Sequence, residues 1–215
     1  MDVLDKIEEE IKKDFSSESS GHDFYHIKRV LHLALLIQKR EGGDKTVIAV
    51  SAMLHDVHRL IQSETGKYCS PQDSLPKVRR ILEKSGLPKD KISKILHCVE
   101  HHEQYGFSNN GKTVKDVETL ILQDADRIDA IGAIGIARVF AYGGAYKIPM
   151  WVPDIPLESK KYEHEKHDPS LMHHFYNKLL RLKDDMNTET GGKIALKRHK
   201  FLEVFLKEFF KEWKT

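Results

Sequence analysis

Apolar residues in this chain recur every three to four positions from one end to the other, and no segment alternates apolar and polar residues with period two. A spacing of three to four places apolar side chains along one stripe of a helix, whereas a half-buried strand needs strict alternation. The pattern therefore commits the chain to an all-α fold whose core is helix packed on helix. With 215 residues, 40% of them apolar, there is material for one such domain with a sizeable core. No internal repeat or low-complexity segment divides it.

The punctuation between stripes sets the expected order of elements. A first amphipathic helix runs from Val3 to about Phe15 and stops at SSESSG. A second opens near Asp23 and continues through Ile37 until Gly42-Gly43, with Asp44 placed to cap the next. That third helix, TVIAVSAMLHD, is apolar nearly all round, as a central buried element would be. Residues 62–74 are polar and contain Gly66 and Pro71, and read as a loop. Helices are expected at 75–84 and 90–102, then a loop GFSNNGK, then one long helix from Val114 to Tyr142. The tract GGAYKIPMWVPDIP is too rich in proline and glycine for regular helix. Two amphipathic helices, SLMHHFYNKLLRL and 192–213, joined by MNTETG, complete the chain. The expected organisation is one domain over 1–215, with a core at about 22–142 and C-terminal helices at about 170–213 packed on it.

Composition narrows the function classes. Lys and Arg number 35 against 33 Asp and Glu, a formal charge of +2, which lacks the excess a nucleic-acid binder uses to displace counterions. The longest apolar run, around Val47 to Leu54, falls far short of the ~20 residues that span a bilayer. The start, MDVLDKIEEEIKKDF, has no apolar signal region. Two cysteines, Cys69 and Cys98, cannot build a disulfide scaffold and suit a reducing, cytoplasmic compartment. Thirteen histidines are the unusual feature, because imidazole is the commonest metal ligand.

Three clusters could carry chemistry. His26 lies one and two helical turns before Val30 and Ala34 and so faces inward, although a core histidine bonded to a carbonyl has the same spacing. His55-Asp56 closes the most apolar helix, where ionisable groups are costly unless something compensates them. In QDADRIDAIGAIGIARVF, Asp124 falls between Ile121 and Ile128 on an apolar face, while Asp126 shares a stripe with Leu122, Ala130 and Ala133. Periodicity does not choose between these two carboxylates, and pairing with Arg127 or Arg138 is the plain alternative to a site. Mixed imidazole and carboxylate ligation without thiolates suits a first-row divalent ion and not a structural zinc.

The ordered set GHDFYHIKRV, AMLHDV and LILQDADRIDAIGAIGIARVF resembles the HD superfamily of metal-dependent phosphohydrolases, and MNTETGGKIALKRHKFLEVFLKEF is similar to the C-terminal helices of its bacterial branch of small pyrophosphohydrolases. The resemblance implies an HD-type helical bundle. It implies metal ligands at His26, His55, Asp56 and Asp124, the first aspartate of DADR taking the last position. It matches His102, in HCVEHHEQYGFS, to a histidine that donates to a phosphate or protonates a leaving group. Asp56 would bind metal and help deprotonate a water, while Lys28, His101 and Arg127 are candidate phosphate contacts. The implied cofactor is one divalent ion, Mn²⁺ favoured, with Mg²⁺, Co²⁺, Ni²⁺, Fe²⁺ or Zn²⁺ as alternatives. The implied substrate is a small phosphorylated metabolite, foremost a nucleotide cleaved at a phosphoanhydride, a triphosphate giving monophosphate and pyrophosphate. A homodimer is left open.

Other classes compete. A nucleotide phosphomonoesterase or phosphodiesterase would use the same fold, and a non-catalytic helical module could sense nucleotides with the same ligands. His97-Cys98-Val99-Glu100-His101 also fits H-x-x-E-H, the inverted zinc-peptidase signature.

Overall fold

The computed structural model describes residues 3–15, 21–108, 111, 113–157, 162–163 and 166–214. Among these there is no β-strand, only an isolated bridge between Ser108 and Tyr162. The run at 16–20 and parts of the loop at 106–112 lie outside the described residues. The elements are α1 (Val3–Asp14), α2 (Phe24–Glu41), α3 (Lys45–Leu54), α4 (Val57–Thr65), α5 (Pro71–Ser85), α6 (Lys89–His101), α7 (Val117–Asp129), α8 (Gly132–Tyr146), α9 (Leu171–Asn177) and α10 (Glu189–Glu212), with a 3₁₀ segment at Leu179–Asp185.

The helix α3 is the axis of the bundle. Asp44 caps it by accepting from the Thr46 and Val47 amides, and every residue from Val47 to Leu54 is buried. It packs against α1, α2, α6 and α7. An apolar helix of only ten residues gains its stability from this enclosure, since short helices are marginal alone. The C-terminal α10 closes the bundle over α7, α8 and α2. No single described helix is long and apolar enough to cross a membrane. Both cysteines are free and buried.

The expected loop at 62–74 is mostly helix. α4 continues to Thr65, and α5 starts at Pro71 behind the cap Ser70, whose hydroxyl accepts from the Asp73 amide while the Asp73 carboxylate accepts from the Ser70 amide. Proline at the first helical position lacks only an amide proton that has no partner there anyway, so it begins this helix. The expected long helix 114–142 is two, meeting at 74° between α7 and α8. Gly132 makes the break: its φ is +78°, and a Cβ there would sit 3.1 Å from the Arg198 side chain. In the opposite direction, Gly143 and Gly144 lie inside α8, which ends only at Lys147 in left-handed conformation.

Candidate metal and phosphate site

Four elements converge on one point. His26 comes from the first turn of α2, whose entry is fixed by Asp23 accepting from the His26 amide at 2.7 Å. His55 and Asp56 form the joint where α3 ends and α4 begins, a change of direction that lets neighbouring side chains address one centre. The last contribution is from α7. Residues two apart on a helix point about 200° apart, so Asp124 and Asp126 cannot both face the joint.

The structure turns Asp126 inward and Asp124 away. Asp126 Oδ1 lies 3.6 Å from His26 Nε2 and 3.9 Å from His55 Nε2. Asp124 instead accepts from the Asn187 and Thr188 amides and the Thr188 hydroxyl, each at 2.8 Å. It thus ties α7 to the start of α10, and burial raises its pKa despite those bonds. The contact is so close that a Cβ at Gly191 would fall 2.4 Å from its Oδ2. The expected ligand Asp124 is thus set apart from the cluster, and Asp126 stands in its place.

Protons decide what the cluster can hold. His26 Nδ1 donates to Asp129 Oδ2 at 2.8 Å, and His55 Nδ1 donates to the Ala52 carbonyl at 2.8 Å. With each ring neutral Nε2 is left bare, and the two Nε2 atoms face each other at 3.2 Å. Asp56 Oδ2 joins them, 3.2 Å from His26 and 3.6 Å from His55. Leaving buried acceptors unmatched costs about 1–3 kcal/mol each, a large share of the about 5–15 kcal/mol that holds a domain together. Only a proton or a cation relieves such a convergence. The second-layer bonds are those that orient metal-binding imidazoles, a carboxylate in one case and a carbonyl in the other. His26, His55, Asp56 and Asp126 thus fit a divalent ion, with cleft-facing room on the side of the two carboxylates.

The same field sets the charges. Burial opposes ionisation of Asp56, but His55 and His22 beside it more than compensate and hold its carboxyl well below the usual range. Asp126 is lowered likewise, against burial, by His55 and His26. His26 goes the other way: burial and Arg138 disfavour its cation, yet Asp129 and Asp56 raise it above the ordinary imidazole value. Asp129 is itself gripped by Arg29 at 2.8 Å and Arg138 at 3.2 Å.

Several site residues were not visible as such in the sequence. His22 donates to Asp56 Oδ2 at 2.7 Å and lines the cleft; its position one turn before His26 was the available signal. Burial lowers its pKa to about 4. The cleft occupies about 1030 Å³, open solvent included, and runs outward from Asp56 and Asp126 past Arg59, Arg138, Tyr142 and Lys178. Lys178 Nζ stands 4.8 Å from the ring centres of both Tyr105 and Tyr162. Burial disfavours its charge, but those rings with Glu103 and Asp126 outweigh this and raise its pKa. Nothing in the local pattern of SLMHHFYNKLLRL singled this lysine out.

The expected phosphate contacts fare differently. Lys28 pairs with Glu8 at 2.7 Å on the outside of α2. Arg127 is buried in structural bonds to the Asp185 and Gln104 carbonyls. His101 bonds to Gln104 and does not line the cleft. None of the three lines the cleft. His102 does reach the site, 4.0 Å from Asp56 Oδ1, but on its buried side and not on the cleft wall. The two histidines of H-x-x-E-H meet edge to face with ring centres 4.5 Å apart, but His97 bonds Asp116 at 3.1 Å and neither histidine joins any metal-capable group among the described residues.

Residues 23–131 match the HD domain family model. The chain is 34% identical over 200 residues to the uncharacterized protein YpgQ of Bacillus subtilis, covering 92% of this chain and 87% of that one. The crystal structure of YpgQ in complex with ADP superposes with a TM-score of 0.73 at 30% identity, over 97% of each chain. An HD-superfamily hydrolase from Bacillus thuringiensis gives 0.70 at 36% identity, over 99% of this chain and 97% of that one. A Lactobacillus plantarum protein gives 0.85 at 29% identity with the same coverage. With the paired imidazoles, the HD dyad and the α7 carboxylate gathered at one point, the chain belongs to the HD domain family and is a metal-dependent phosphohydrolase.

Proposed function

We propose that this enzyme hydrolyses a phosphoanhydride of a nucleotide, with His26, His55, Asp56 and Asp126 holding one divalent ion at the floor of the cleft. The observation that carries this reading is the convergence of bare imidazole nitrogens and carboxylate oxygens beneath a cleft lined with fixed cations and aromatic rings. When bound, such an ion polarises a phosphoryl oxygen and acidifies a water. Manganese is our favoured ion on grounds of resemblance, since the donor set suits several first-row ions equally.

The chain's own residues supply the rest. Lys178, Arg59 and Arg138 place positive charge along the cleft wall, where a polyphosphate tail would lie. Arg59 is steadied by its ion pair with Glu103, and Arg138 by donating to the Gly21 carbonyl at 2.7 Å. Tyr142 and His167 face the cleft with ring centres 5.9 Å apart, a surface on which a base can stack. We assign the proton of the attacking water to the pair formed by Asp56 and His22, which both line the cleft. Asp56 alone, held so strongly ionised, is a weak base. That YpgQ is described in complex with ADP supports a nucleotide ligand here. The choice of triphosphate to monophosphate and pyrophosphate follows the resemblance to small pyrophosphohydrolases.

A panel of nucleoside mono-, di- and triphosphates, assayed with Mn²⁺, Mg²⁺, Co²⁺, Ni²⁺, Fe²⁺ and Zn²⁺, tests the proposal when phosphate and pyrophosphate release are read separately. Pyrophosphate from triphosphates is expected. Phosphate from monophosphates alone would make it a phosphomonoesterase, and tight binding without turnover would make it a sensor.

A further inference from the structure

Away from the metal cluster, α9 and the turn before it supply another wall of the cleft, and one histidine there is held in a fixed posture. His174 Nδ1 donates to Asp168 Oδ2 at 2.8 Å, and Asn177 Nδ2 donates to Asp168 Oδ1 at 2.6 Å. The turn is itself pinned. The Leu171 and Met172 amides donate to the Pro149 and Met150 carbonyls, each at 3.0 Å. Ser170 donates its hydroxyl proton to His173 Nδ1 at 2.7 Å, and His173 Nε2 donates to the Ile155 carbonyl at 3.2 Å. His174 lines the cleft with its side chain 28% exposed. With Nδ1 committed to a carboxylate, Nε2 is the ring nitrogen left for a ligand. Burial, with Lys178 nearby, outweighs Asp168 and lowers the His174 pKa, so the ring is neutral and Nε2 is an acceptor.

The neighbours of His174 say what that acceptor meets. The Lys178 amide donates to the His174 carbonyl at 3.0 Å, so the two residues are one helical turn apart and their side chains share a stripe. Lys178 stands on the side of the floor, where Asp126 and Glu103 support its charge. On the other side is His167, next to Asp168 in the chain, with its Nδ1 3.4 Å from the Tyr142 hydroxyl. Outward from the metal cluster the cleft thus offers carboxylates, a fixed cation, a neutral acceptor and aromatic rings. A 5′-nucleotide presents phosphates, pentose hydroxyls and base in the matching order. A neutral imidazole lone pair repels an anionic phosphate oxygen and needs an O–H or N–H instead. With phosphates at Lys178 and a base at Tyr142 and His167, the donor at the level of His174 is a hydroxyl of the sugar.

We propose that His174, oriented by Asp168 and Asn177, is the residue that reads the sugar, its Nε2 accepting a pentose hydroxyl of the bound nucleotide, an inference that rests on the nucleotide reading above. A nucleotide lacking that hydroxyl leaves the acceptor without its partner, and it binds less tightly for that reason.

Calorimetric titration of the Mn²⁺-loaded protein with ADP, 2′-deoxy-ADP, 3′-deoxy-ADP and 2′,3′-dideoxy-ADP tests this, with pyrophosphate as the probe that has no sugar. Wild type should bind ADP about tenfold more tightly than dideoxy-ADP, the effect of one hydrogen bond. The two monodeoxy forms show which hydroxyl is read. His174→Asn can keep the bond to Asp168 but lacks Nε2. It should bind ADP only as well as dideoxy-ADP, with pyrophosphate binding unchanged. Should it fail to fold, His174→Phe, which also lacks the acceptor, takes its place. The proposal is overturned if wild type binds ADP and dideoxy-ADP alike, or if the variant keeps the wild-type preference. It is equally overturned if the variant loses pyrophosphate as much as ADP. Wild type that takes pyrophosphate and no nucleotide overturns the nucleotide reading as well. The expected binding pattern in a protein that turns over no triphosphate upholds the sugar contact and removes the hydrolysis.

Discussion

Asp124 and Asp126 show how two identical side chains, two residues apart, take opposite work from helix geometry. Asp126 spends its charge on a site and keeps few protein bonds, whereas Asp124 spends its charge on the amides that begin α10. Removing Asp124 would strand the Asn187 and Thr188 amides, and charged hydrogen bonds are worth about 1.5–3 kcal/mol each. Asp124→Ala should therefore lower unfolding stability by about 3 kcal/mol in a denaturant titration, with the protein still binding metal. A stability within about 0.5 kcal/mol of wild type would show that Asp124 is not the tie between α7 and α10. Apolar spacing could not separate the two aspartates, because both stripes carry apolar residues and the deciding partner, Thr188, lies more than sixty residues away.

At the level of elements, the site exists because two helices stop where they do. α3 gives way to α4 at His55-Asp56, and α7 gives way to α8 at Gly132. Gly132→Ala forces a side chain into positive φ and toward Arg198, a strain of about 1–2 kcal/mol. Gly144→Ala, in the exposed helical part of α8 with nothing near its Cβ, should stabilise by about 0.5–1 kcal/mol. Thermal melts of the two variants should move in opposite directions; a common direction would contradict this account of the break. Here the sequence misled in an instructive way. Glycine and proline mark change, but Pro71 starts a helix, Gly144 sits within one, and Gly132 breaks one. What distinguishes them is φ and the neighbouring side chain, which are tertiary facts.

For the whole molecule, periodicity was enough to give an all-α bundle with α3 at its centre, because a helix apolar on every side has nowhere else to go. His26, His55 and Asp56 were legible because ionisable groups on apolar stripes need a reason. Lys178 and Arg59 were not, since a lone basic residue on an amphipathic helix reads as surface until another element is laid over it. The central claim is that α2, the α3–α4 joint and α7 bring His26, His55, Asp56 and Asp126 to one cation. Calorimetric titration of metal-stripped Asp126→Asn with Mn²⁺, beside wild type and Asp124→Asn, measures it most directly. The account predicts that Asp126→Asn loses the tightest binding event while melting like wild type, and that Asp124→Asn keeps it. Undiminished tight binding in Asp126→Asn, or its loss in Asp124→Asn alone, would contradict it.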